Sequence, residues 1–185
     1  MRKRMQLVNS LVVGLTVLHL STSAQATEAA HVHGLMHLDI AIDKQLLTLQ
    51  LASPLDSLLG FERQPRTAAE RQAAEALLKR MADAATLFKP DAAAQCVLTK
   101  VNIESAALQS TSQAESRNGN KESEHADLEA SYEFNCAYPD KLAAIEIGLF
   151  AAFKRLQKIE VQLAGAKLQS KQTLQRPNKV VKLLR

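Results

Sequence analysis

The sequence predicts an α+β fold: a single domain with a largely antiparallel sheet, one long helix and a few short helices. Three observations carry this. Polar and apolar residues alternate from His31 to Ile42 and again from His125 to Cys136, the period of half-buried strands. A helical stripe of Ala74, Leu77, Leu78, Met81, Ala85 and Phe88 follows the capping signature Thr67-x-x-Glu70. The other strand-like segments arrive in pairs with helical segments grouped between them, which is not the alternating order of a parallel sheet.

The first 26 of the 185 residues read as a secretory leader. Arg2, Lys3 and Arg4 precede an apolar run from Leu7 to Leu20, and Ala24-Gln25-Ala26 supplies the small-x-small cleavage pattern. The expectation is cleavage after Ala26, export to the periplasm, and a metal-binding domain over 27–185. Without the three leading basic residues, 20 Lys and Arg stand against 19 Asp and Glu, so the basic balance of the whole chain belongs to the leader. A near-neutral domain with no Trp and two Tyr has neither the charge nor the stacking platforms of a nucleic-acid binder. No two of the six glycines lie within 16 residues of each other, so no Gly-rich phosphate loop and no G-x-S-x-G elbow exists, and H-E-x-x-H and C-x-x-C are absent.

In order along the chain, His31 to Ile42 forms a strand with Met36, Leu38, Ile40 and Ile42 on one side and His31, His33, His37 and Asp39 on the other. Asp43-Lys44 turns into a second strand, Gln45 to Ala52. Pro54 to Phe61 makes a short helix closed by Gly60, and the long helix runs from the Thr67 cap to the stop at Pro90. Cys96 to Leu108 is a strand whose apolar parity switches near Thr99 and Lys100, the mark of a bulge. Residues 109–124 hold almost nothing apolar and read as a mobile loop. After the His125 to Cys136 strand come a helical turn at Pro139, strands at Ile145 to Leu149, Gln157 to Leu163 and Ala166 to Leu174, and a last one at Lys179 to Leu184. Export and the placing of Cys96 and Cys136 on apolar strand faces predict a disulfide between them.

The chemistry lies in the histidines. His31-x-His33-x3-His37-x-Asp39 puts three imidazoles on one strand face, where alternate residues stand about 7 Å apart and two rings can close on one ion. His125-Ala126-Asp127 repeats the spacing, and pairing of the two strands would let His125 or Asp127 complete a tetrahedral site. A solvated polar face explains the same residues without a metal. Imidazole with carboxylate and no thiol favours zinc over Cu(I). Glu115, Glu122, Glu124, Asp127, Glu129 and Glu133 add negative potential around His125, while Val161 to Arg185 holds six basic residues and no acidic one.

These pieces resemble the ZrgA-type periplasmic zinc-binding family: His31-x-His33-Gly34 with its alternating strand, Ser53-Pro54, Leu58-Leu59-Gly60-Phe61-Glu62, Pro65-x-Thr67, and His125-Ala126-Asp127-Leu128-x-Ala130-x-Tyr132 with Cys136. The resemblance implies a periplasmic protein that holds zinc and assists its import beside an ABC-type zinc importer, and it maps the family's H-x-H onto His31 and His33 and its post-loop H-A-D onto His125 and Asp127. Two departures stand out. Relatives often carry a histidine-rich loop where 109–124 has none, and many carry His where this chain has Arg63. The expected function is therefore non-enzymatic zinc binding, with His31, His33, His37, His125 and Asp127 as ligands. The rivals are a zinc-dependent hydrolase, with an open metal position activating water, and a metal-free envelope adaptor that binds a partner protein through its basic end.

Overall fold

Gly34 decides where the first strand begins. Its φ of +78° is a left-handed conformation, and a Cβ there would press on the Arg155 carbonyl oxygen and the Gln157 side chain. The chain therefore turns at His33 and Gly34, and the strand β1 runs Leu35–Asp43, four residues later than the alternation implies. The structure, a computed structural model, describes residues 32–109, 126–166 and 168–183. The expected leader, His31, His125 and residues 110–124 of the expected loop lie outside them.

From β1 the chain reverses through Lys44 and Gln45, one residue past the expected turn, with Lys44 at φ 54°. The second strand, β2 (Leu46–Pro54), pairs antiparallel with β1 in the register Ile40↔Leu49. A short helix α1 (Leu55–Leu59) follows and ends at Gly60, as the sequence predicts. Thr67 then caps α2 (Ala68–Ala82), its hydroxyl accepting from the Glu70 N–H while the Glu70 carboxylate accepts from the Thr67 N–H.

Glu70 also accepts two hydrogen bonds from Arg63 and one from the Arg66 N–H, and the Arg63 bonds are the main reason its carboxyl is held down at about 2 from an ordinary 4.5. A depressed carboxyl contributes stability that is fully present above the unfolded-state value and is lost as pH falls through the folded one. Melting curves of the wild type and Glu70→Gln should therefore differ above about pH 4.5 and converge as the pH approaches about 2.

The expectation of an α+β fold with one long helix is overturned. Strand makes up 47% of the described residues and helix 28%, with nine strands in two sheets, so the fold is predominantly β. The helix expected to reach Pro90 stops at Ala82, because the Asp83 carboxylate accepts from the N–H and hydroxyl of Thr86 and caps a separate turn, α3 (Ala84–Leu87). Phe88–Pro90 then forms an edge strand, β3, where a proline is tolerated. The apolar stripe of 74–88 has helical spacing throughout, but its last members serve two further elements.

The remaining elements are β4 (Cys96–Glu104), α4 (Ala106–Gln109), β5 (Asp127–Cys136), β6 (Ala144–Ile147), α5 (Leu149–Ala152), β7 (Lys158–Gly165), β8 (Leu168–Gln175) and β9 (Val180–Lys182), with single 3-10 turns at Ala92–Ala94 and Pro139–Lys141. The bulge expected in β4 lies between Leu98 and Lys100. One sheet has the order β4-β5-β2-β1-β7-β8 and the other β3-β6-β9. Pairing is antiparallel except between β1 and β7.

Both sheets and α2 contribute to one hydrophobic core. Tyr132 on β5 is fully buried there, its ring against Phe88 of β3 and its hydroxyl donating to the Met81 carbonyl near the end of α2 at 2.7 Å. Cys96 and Cys136 are direct cross-strand neighbours and form the expected disulfide. The opposite face of the larger sheet carries His37, Asp39, Gln50, Asn102, Glu104, Glu129 and Ser131, which with Ala52 border an open groove of about 360 Å³.

Candidate metal site

His33 is positioned by its neighbour. The Gly34 N–H donates to the buried Ser57 hydroxyl of α1 at 2.9 Å, and the Gly34 carbonyl accepts from the N–H groups of Gln157 and Lys158. These bonds hold the turn between α1 and the start of β7, so the imidazole projects beside α1 and not from the strand. His33 Nδ1 lies 3.5 Å from Asp56 Oδ2, and its Nε2 lies 3.5 Å from Glu62 Oε1.

The two carboxylates differ in their other partners. Asp56 is met by Arg155, whose guanidinium reaches both carboxylate oxygens at 3.0 and 3.3 Å and donates through Nε to the Asp56 carbonyl. Beside Glu62, the next residue, Arg63, is turned onto Glu70 by a two-pronged ion pair of 2.7 and 3.0 Å. Glu62 therefore faces the imidazole while the adjacent guanidinium is held elsewhere.

His37 sits on the exposed face of β1 as the alternation predicts, with its Nδ1 3.7 Å from Glu160 Oε2 on β7. The other oxygen of Glu160 accepts from Lys158 at 2.7 Å, and this bond is the main reason the Glu160 carboxyl is held below its ordinary range. Asp39 follows His37 on the same face and lines the groove. Asp127 is half-buried at the start of β5, opposite Pro54, so it lies at the same end of the sheet as the His33 turn.

The alternation thus places His37 and Asp39 on the exposed strand face where they lie, but puts His33 on a strand that begins only two residues later. Among the described residues no group of three His, Cys, Asp or Glu side chains is disposed to hold a metal ion. His31 and His125, the other two members of the expected set, lie outside them. Asp56, Glu62 and Glu160 escaped the sequence argument because each reaches its histidine from a different element.

A carboxylate-flanked histidine in an H-x-H-G turn, at the sheet end where β5 opens with Asp127, is the arrangement on which comparison with known families bears. Residues 30–183 match the family described as ZrgA family zinc uptake protein. The chain belongs to the ZrgA family. No curated protein matches it. Membership ties this ZrgA chain to zinc uptake, and the disulfide accords with an exported protein. No described helix is long and apolar enough to cross a membrane.

Proposed function

We propose that this ZrgA protein is a non-enzymatic periplasmic zinc-binding protein, exported by residues 1–26, that buffers zinc or delivers it to an ABC-type importer. The supporting observation is the His33 imidazole, held in a fixed turn between two carboxylates, in a chain of a zinc uptake family. The ligand set is His31, His33 and His37 with His125 or Asp127. Zinc is cargo in this reading, so exposed ligands suit it: His33 has 66% and His37 49% of its side chain open to solvent, leaving an ion accessible to a receiving partner.

The adaptor alternative draws less support. Two of the basic residues it would use are engaged within the domain: Arg176 donates to the carbonyls of Phe150, Phe153, Lys154 and Leu156, and Lys179 pairs with Glu146 at 2.7 Å.

Calorimetric zinc titration of the chain from Thr27 tests the proposal. The double variant His33→Ala and His37→Ala should lose about 100-fold or more in affinity, the scale on which even residues supporting a ligand act. Glu115→Ala should cost far less. Unchanged affinity in the double variant would leave the solvated polar face as the better account of these histidines.

A further inference from the structure

We propose that Glu62 is a zinc ligand together with His33 Nε2, and that Asp56, held by Arg155, is the residue that orients the His33 ring for it. This inference rests on the proposed zinc-binding function and adds to it a ligand from the loop between α1 and α2. Two donors bound to one tetrahedral zinc at about 2.0–2.2 Å stand about 3.4 Å apart. The 3.5 Å between His33 Nε2 and Glu62 Oε1 matches that edge in length.

The same separation occurs on the other side of the ring, between Nδ1 and Asp56. Charge decides between the two. An ion at Nδ1 would share the Asp56 carboxylate with the guanidinium of Arg155, which already engages both oxygens. A dication beside that cation is repelled, whereas on the Glu62 side the nearest arginine in sequence is held by Glu70. Glu160 is not a comparable partner for His37, because Lys158 occupies that carboxylate.

Asp56 then has the part that carboxylates commonly take behind a metal-bound imidazole. A small turn of the ring from the present 3.5 Å would let it accept the Nδ1 proton, fixing the tautomer in which the Nε2 lone pair is free for the ion. Arg155 keeps that carboxylate in place through both of its oxygens. Glu62 and His33 supply two donors, and water fills positions that they leave open.

The test is zinc titration by calorimetry of the chain from Thr27 as wild type, His33→Ala, Glu62→Gln, Glu62→Asp and Asp56→Asn, with cobalt(II) absorption as a second readout of the ligand field. Glu62→Gln should lose about tenfold or more in zinc affinity and change the cobalt spectrum, with partial recovery in Glu62→Asp. Asp56→Asn should lose about 10- to 100-fold, and its long-range proton–nitrogen spectrum should show the His33 proton no longer confined to Nδ1. Glu62 is exposed, so equal melting temperatures will show that the variants are folded. If His33→Ala loses zinc while Glu62→Gln binds with wild-type affinity and an unchanged cobalt spectrum, Glu62 is not a ligand although the histidine reading stands. If His33→Ala also binds as the wild type, the underlying reading falls with it.

Discussion

Replacing Cys96 and Cys136 together by alanine is expected to lower the stability of the domain by about 4 kcal/mol, the chain-entropy contribution of a cross-link that closes a loop of about 40 residues. Denaturant unfolding of the oxidised wild type against the double variant measures it, and a reductant should bring the wild type toward the variant. The bond ties the first residue of β4 to the last of β5 and so holds an edge strand to the sheet. Asp127 is at the other end of β5, roughly 30 Å away for a strand of this length. The double variant, kept where it is still folded, should therefore bind zinc as the wild type does. A loss below about 1 kcal/mol would show that the strand pairing alone holds β4 in place.

Gly148→Ala is expected to cost about 3 kcal/mol, at the upper end of what inserted atoms cost in a close-packed interior. Gly148 follows β6 and its N–H donates to the Leu87 carbonyl at 2.8 Å, so the backbones of α3 and β6 lie against each other at this point. A Cβ here would overlap the Thr86 carbonyl oxygen, which belongs to backbone and cannot swing aside as a flexible side chain can. Relief would require α3 and β3 to move away from β6, uncovering Leu87 and Phe88, both about 1% exposed. Urea unfolding gives the size of the effect, and a loss under about 1 kcal/mol would show that the two segments can separate without unpacking the core.

The strands were the legible part of the fold because their signal is local. Alternation in 127–136 needs only a period of two, and β5 buries Leu128, Ala130, Tyr132, Phe134 and Cys136 as that period requires. The bulge in β4 was likewise readable from a parity switch within five residues. The long helix was misread because spacing alone cannot tell a continuous helix from a helix, a capped turn and an edge strand that share one buried side. Asp83 carried the missing signal, as a capping side chain three residues before Thr86.

At the candidate site, the sequence by itself determined the residue types: histidines spaced by one and three residues, a glycine after the second, and a later His-x-Asp, in a chain that matches a zinc uptake family. It also determined the capped start of α2 and the pairing of the two cysteines, because caps and a two-cysteine count are properties of the chain. Only the tertiary structure decided which carboxylates meet which imidazole. His33 stays off the strand because Gly34 turns the backbone before β1, and it meets Asp56 and Glu62, 23 and 29 positions further on, while β7, more than 120 positions away, brings Glu160 to His37. Such meetings depend on strand order and on which arginine neutralises which acid. Sequence spacing contains neither, since both arise when distant segments pack around a common core.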